Sequence, residues 1–444
     1  MVLKVGLVSL GCPKNLVDSE VMLGLIKDAG YEVTGSEQEA DILVVNTCSF
    51  INDAKEESIK TIFEMARHKD EGSCRVLLVT GCLAQRYPRQ LLNEIPEIDG
   101  LIGTGALPGI TAAIRQALAG ERVLMVNEPG HLNTGANPRL LATPAYSAYL
   151  KIAEGCDNRC SYCTIPQVRG PYKSRTIEDV ISEAAGLARQ GVKELILVAQ
   201  DTTRYGIDLY GEPALDDLLL GLDRVEELVW LRLLYTYPTL FSDKLIQALA
   251  STGKLCRYLD LPLQHAADTV LRRMNRRVGI QEITRLLEKL RGAIPGLTLR
   301  TSFIVGFPGE TEDEFQELLD FMTKIKFERV GIFAYSREEG TPAAAMPGQV
   351  PEEVKLARRD KAMALQKNIS MEINQGKIGE EISVLVERRR NKKLRVYEGR
   401  SEGDAPDIDG KVIFKSSKDL EPGSFVRVLI KSASPYDLEG ELVT

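Results

Sequence analysis

Through the first 127 residues, short apolar runs alternate with stretches in which apolar residues recur every three or four positions. The runs occupy 3–10, 41–46, 75–80 and 101–103, and the helical patterns between them occupy 16–29, 54–68 and 85–94. Strands alternating with helices at this spacing need crossover connections, so this part predicts a doubly wound parallel-sheet α/β domain over 1–130. The stretch 127–139 is rich in Gly, Pro and Asn and has no period, which reads as a linker. A second series then begins, with candidate strands at 149–153, 194–199, 230–235, 258–261, 299–305 and 330–335. Helical stretches separate them, one opening at Thr176-Ile-Glu-Asp179 and another at Thr311-Glu-Asp-Glu314, where acids suit a first helical turn. Six βα units over 141–372 predict a partial barrel, short of the eight that close a full one. Beyond 375 the period changes to two. Segments 382–387, 394–398, 412–414 and 425–430, broken by Gly, Pro and Asp, predict short antiparallel strands of a small β-barrel over 375–444.

Composition narrows the class without deciding the function. Hydrophobic residues at 44% and charged residues at 27% suit a globular chain of several domains. A net charge of −7 argues against a general nucleic-acid binder. No basic leader and no run of about 18 apolar residues is found, so a cytoplasmic protein that does not enter a membrane is expected. In such a compartment thiols stay reduced, and the eight cysteines point to metal or cluster ligation before disulfides. Cys74 and Cys256 lie outside any ligand spacing and read as small hydrophobes.

The chemistry concentrates in Gly155-Cys156-Asp157-Asn158-Arg159-Cys160-Ser161-Tyr162-Cys163, directly after the first strand of the second series. Three thiolates on one tight loop can hold three corners of a four-iron cluster and leave the fourth iron open to another ligand. A zinc site is the main alternative, although structural zinc takes four ligands. Cys12, Cys48 and Cys82 each follow a predicted strand of the first domain. The carboxyl ends of parallel strands share one rim, so these thiols converge there although far apart in sequence, and a second cluster is expected.

The Cys156, Cys160 and Cys163 spacing, with Tyr162 before the last cysteine, resembles the radical S-adenosylmethionine (SAM) superfamily over about 146–340. The resemblance implies that SAM chelates the open iron through its amino and carboxylate groups and is cleaved reductively to a 5′-deoxyadenosyl radical. It places Gln200 and Asp201 near the SAM amino group, Arg232 at its carboxylate, and Ser302, Val305 and Gly306 on the adenosine side. Strand-end polar residues also cap helices and loops, which stays open for Gln200, Asp201 and Arg232. Together with the amino-terminal cysteines and the β-barrel tail, which looks like a TRAM domain, the chain resembles the methylthiotransferase family throughout. That implies two 4Fe–4S clusters, an external electron donor and sulfur source, and SAM used both as methyl donor and as radical source.

The family has two main substrate classes, a tRNA adenosine and an aspartate of small-subunit ribosomal protein S-twelve. Ala199-Gln-Asp-Thr-Thr203, Leu261-Pro-Leu-Gln-His265 and Glu398-Gly-Arg-Ser-Glu-Gly-Asp-Ala-Pro-Asp-Ile-Asp-Gly410 look like the ribosomal-protein branch, which implies methylthiolation of the aspartate β-carbon. Segment 375–444 carries 13 Lys and Arg against 13 Asp and Glu, which is neutral where an RNA-binding barrel would be basic. The acids of 402–409 are expected to dock a basic protein, while Arg388-Arg-Arg-Asn-Lys-Lys393 keeps a secondary RNA contact open. The rival readings are a tRNA methylthiotransferase and a non-catalytic iron–sulfur scaffold. His265 is expected to pack or hydrogen-bond rather than to catalyse.

Overall fold

The computed structural model describes residues 2–391 and 393–443. The first sheet has six parallel strands in the order Glu32–Val33, Lys4–Ser9, Ile42–Thr47, Val76–Gly81, Gly100–Ile102 and Val123–Met125. Side chains alternate between its faces. Ile42, Val44, Val76 and Leu78 pack against Met22, Ile26 and Ile114, whereas Leu43, Val45, Leu77 and Val79 pack against Ile62, Met65 and Leu91. Burial on both faces is why these strands read as unbroken apolar runs. The edge strands Glu32–Val33 and Val123–Met125 escaped the sequence reading because two or three half-covered residues carry no period.

The second sheet is also parallel, in the order Ser147–Lys151, Glu194–Val198, Trp230–Leu233, Leu255–Asp260, Thr298–Val305 and Arg329–Ala334. It is the open six-stranded barrel expected. Its outer face supplies Leu150, Leu195, Leu197, Leu231, Leu233 and Leu299 to a core shared with the surrounding helices. The helix Glu312–Ile325 carries a complete capping box, Thr311 Oγ1 accepting from the Glu314 amide and the Glu314 carboxylate accepting from the Thr311 amide. Thr176 caps Ile177–Arg189 from one side only, since the Asp179 carboxylate accepts from Arg175 and from the Gly135 amide instead.

The tail closes into a five-stranded barrel around Val384, Val386, Tyr397, Phe414, Val428 and Ile430. One of its pairings, Val412–Lys415 with Leu438–Leu442, is parallel where the sequence predicted only antiparallel strands. No helix among the described residues is long and apolar enough to cross a membrane. Lys392, part of the basic run in the tail, lies outside the described residues.

The three parts meet on the inner face of the second sheet, where Val17 of the first helix and Leu385 and Ala405 of the tail share one apolar cluster with Tyr149, Ile196 and Tyr258. The predicted linker is bound down along its length. Asn133 donates to Asp18 Oδ1 at 3.0 Å, and Arg139 bridges Glu20 and Glu183 at 2.5 and 2.8 Å.

Candidate active site

Cys12, Cys48 and Cys82 all follow strands of the first sheet, at one rim. Gly11 has a φ of +86°, and a Cβ built on it would stand 2.7 Å from Cys48 Cβ and 3.0 Å from Cys48 Sγ, so glycine lets the two cysteine turns touch. Burial pushes the Cys48 thiol up to about 12 and raises Cys82 as well. Cys12 stands at the start of helix Pro13–Asp28. Burial opposes its ionisation, but the cations of Lys14 and Arg169 and the amides of Asn15 and Lys14 outweigh it, and its net shift is downward.

Cys156, Cys160 and Cys163 share the loop that leaves the first strand of the second sheet. Gly155, with a φ of +79°, turns the chain into this loop, and the Cys156 amide donates to Gly170 O at 3.1 Å. Burial pushes Cys156 up to about 12 and Cys163 upward too. Arg276 aims Nη1 at Cys160 Sγ, 3.9 Å away, while its guanidinium stacks on Tyr237, 4.0 Å from the ring centroid.

Both donor sets suit iron–sulfur clusters. Each offers two buried cysteines and one half-buried, Cys12 in one set and Cys163 in the other, with a guanidinium reaching Cys82 in the first and Cys160 in the second, to balance the negative charge that bound thiolates would carry. No group of three His, Cys, Asp or Glu among the described residues is arranged to hold a single metal ion. A four-iron cluster takes each thiolate on a different iron.

Of the residues expected around SAM, Gln200 and Asp201 leave the second strand beside the Cys156 loop. Gln200 Nε2 donates to Glu154 Oε1 at 2.7 Å, and Asp201 accepts from Asn158 and Thr203 at 2.7 and 2.6 Å. Burial raises Asp201 above the usual carboxylate range. Tyr162 packs among Ala267, Met274 and Phe307. Ser302 is half-buried. Gly306 turns with a φ of +73° where a Cβ would meet Lys355 Cγ at 2.3 Å. Two residues are placed otherwise. Val305 points its side chain into the helix-covered core, and its carbonyl accepts from the Tyr335 amide. Arg232 is fully buried at the opposite end of the inner face. There Nε pairs with Glu194 at 3.0 Å, and Nη1 donates to the Glu402 carbonyl at 2.7 Å, so it has no group left for a SAM carboxylate.

The acidic segment is also turned inward rather than outward. Asp404 pairs with Arg329 at 2.7 Å, and Asp409 accepts from the Tyr258 hydroxyl at 2.6 Å. These carboxylates join the tail to the barrel, which overturns the docking role expected from charge sign, and only Asp407 of the four acids is exposed. His265 is buried, its Nδ1 accepting from the Ala267 amide at 3.0 Å, which is a packing role.

Three models match the chain in succession: Uncharacterized protein family UPF0004 over 4–103, the Radical SAM superfamily over 150–322 and the TRAM domain over 378–443. The chain is 65% identical over 443 residues to the ribosomal protein uS12 methylthiotransferase RimO of Pelotomaculum thermopropionicum, covering 100% of both chains. It is 55% identical to that of Desulforamulus reducens, over 99% of each. The chain belongs to the RimO family. In fold it resembles the radical SAM methyltransferase TsrM of Kitasatospora setae, solved with cobalamin and a 4Fe–4S cluster, with a TM-score of 0.56, 17% identity and coverage of 85% and 79% of the two chains.

What sequence reading missed in this RimO-family chain is the set of charges between the two triads. Lys151 Nζ donates to Asp18 Oδ1 and Glu154 Oε2 at 2.5 and 2.6 Å, and Arg169 reaches Asp18 Oδ2, Glu154 Oε2 and Asn15 Oδ1. Burial costs Asp18 its water, yet the cations of Lys151 and Arg169 hold it below the usual carboxylate range. Through Glu154 the network touches Gln200, and through Asn15 it approaches Cys82, whose Sγ lies 3.8 Å from Asn15 Oδ1. The available signal was faint: Lys14, Asn15 and Asp18 directly follow Cys12, and Glu154 directly precedes the Cys156 loop.

Proposed function

We infer that this chain attaches a methylthio group to the β-carbon of an aspartate in ribosomal protein uS12, in the cytoplasm. The observation that carries this is its full-length similarity to uS12 methylthiotransferases, at 65% identity. The tail carries as many acids as bases, which supports a protein rather than an RNA substrate. In this reading the chain has domains at 1–130, 141–372 and 375–444.

Cys12, Cys48 and Cys82 would hold one 4Fe–4S cluster, and Cys156, Cys160 and Cys163 a second, with Tyr162, Gln200, Asp201, Ser302 and Gly306 lining the SAM site. When bound, these groups supply the one-electron cleavage of SAM that activates the target carbon, and the methylated sulfur that replaces its hydrogen. The protein's own part is positioning and shielding. Asn158 and Asp201 tie the Cys156 loop to the second strand, Arg276 balances charge at Cys160, and the Lys151, Arg169, Asp18 and Glu154 network fixes one cysteine rim against the other. Cys48, Cys82, Cys156 and Cys160 are buried and Cys12 and Cys163 half-buried, which limits the access of bulk water to a reactive carbon. The electron and the sulfur come from outside the chain.

The test is anaerobic reconstitution followed by incubation with SAM, a reductant, sulfide and either small ribosomal subunits or purified tRNA. Mass spectrometry should find one methylthio group on the uS12 aspartate. Modification of tRNA alone, or SAM cleavage with no modified product, would overturn the assignment.

A further inference from the structure

Lys14 is a buried cation that the network does not use. It is 7% exposed, and its Nζ has no hydrogen bond or ion pair among the described residues. It extends from the start of helix Pro13–Asp28, two residues after Cys12, and Nζ lies 3.3 Å from the centroid of the Tyr235 ring. Tyr235 belongs to the other rim. It follows strand Trp230–Leu233, and its carbonyl accepts from the amide of Thr202, next to Asp201. The lysine therefore crosses from the Cys12 rim to the rim that carries Gln200 and Asp201.

The nearby acids are already taken. Asp260 accepts from Arg300 at 2.7 Å and from the Tyr235 amide at 3.0 Å, while Glu154 accepts from Lys151, Arg169 and Gln200. The Cys12 sulfur favours its charge, but neither that sulfur nor the aromatic face gives Nζ a hydrogen bond, and an anion arriving between the rims would complete its shell. An aspartate side chain carries such an anion one bond from its β-carbon, so a cation that fixes the carboxylate also fixes the carbon to be modified. An adenosine carries no carboxylate.

Resting on the uS12 reading, we propose that Lys14 binds the carboxylate of the target aspartate, and so both positions the β-carbon and selects an acidic side chain over a nucleobase. The shared chemistry is carboxylate recognition, and the carboxylate of SAM is the competing source.

The experiment measures affinity of the reconstituted holoenzyme for a synthetic uS12 peptide carrying the target aspartate and for the same peptide with asparagine there. The wild-type protein should prefer the aspartate peptide by about tenfold, the size expected for a charge-assisted hydrogen bond. Lys14→Met should lose that preference, chiefly by weakening the aspartate peptide, and Lys14→Arg should keep part of it. Equal weakening of both peptides by Lys14→Met would overturn the proposal, as would a fall in SAM affinity with the aspartate preference intact. Wild-type protein that modifies the peptide yet binds both forms equally would sink Lys14 alone. If it neither binds nor modifies the peptide, the uS12 reading fails as well.

Discussion

A methyl group on Gly155 would stand 2.0 Å from the carbonyl oxygen of Pro171 and 2.6 Å from that of Gly170, and the positive φ already disfavours any side chain. Both obstacles are backbone, so the Cys156 loop would have to move. Gly155→Ala should therefore lose the cluster of that loop and keep the other, halving iron after anaerobic reconstitution from about eight to about four atoms per chain. Full iron content in the variant would show that the turn tolerates the clash. Arg169 offers a second test. Replacing it with Met leaves Asp18 and Glu154 to share Lys151 and leaves Asn15 Oδ1 with only the weak Cys82 thiol donor, which should cost on the order of 3 kcal/mol in urea unfolding of the cluster-free protein. A loss under about 1 kcal/mol would mean that the network is not needed for stability. The six cysteines were legible because a spacing or a strand exit marks each one. Lys14, Arg169 and Arg276 were not, since each acts on a partner far along the chain, as Arg169 does on Asp18, and a lone cation carries no period.

Among the elements, the junction of tail and barrel is governed by charge. Glu194, at the start of its strand, takes Arg232 Nε at 3.0 Å and Arg400 Nη2 at 2.5 Å. Burial opposes its ionisation, but the two guanidinium groups hold its carboxyl down to about 2, from 4.5 in an open chain. A depressed carboxyl stabilises the fold fully above the unfolded value and loses that contribution as pH falls through the folded one. The stability gap between wild type and Glu194→Gln should thus be widest above pH 4.5 and shrink by roughly 3 kcal/mol towards pH 2. Denaturant titrations across that range check it, and a gap independent of pH would refute it. The alternation that revealed the strand of Glu194 could not say what covers its inner face. For the same reason the run 402–409 looked like a surface patch: charge sign is visible in sequence, whereas Arg329 and Tyr258, the partners of Asp404 and Asp409, come from distant strands.

At the scale of the whole molecule, two parallel sheets turn their strand ends towards each other, and the two cysteine triads sit on the opposed rims. Replacing Cys156, Cys160 and Cys163 by Ala should abolish 5′-deoxyadenosine formation, whereas replacing Cys12, Cys48 and Cys82 should remove methylthio transfer and leave some SAM cleavage. Identical product profiles from the two triple variants would undo this division. The architecture of each part was readable from its period, two in the tail and strand alternating with helix before it. Their mutual docking was not, because it rests on contacts such as Arg86 with Glu338 at 2.7 Å and Asn133 with Asp18 that span more than a hundred residues. The tail also closes the far end of the barrel's inner face, where Arg232, Tyr258, Arg300 and Arg329 are all occupied. The tail thereby stoppers that end of the inner face, and the other end is the one that faces the opposed rims. A small molecule and a protein chain that both approach from the facing rims must take turns: SAM loads before the protein chain that covers the approach, and spent fragments leave once that chain withdraws. Steady-state kinetics should accordingly be compulsory-ordered with SAM first, and excess uS12 should inhibit by trapping the enzyme without it.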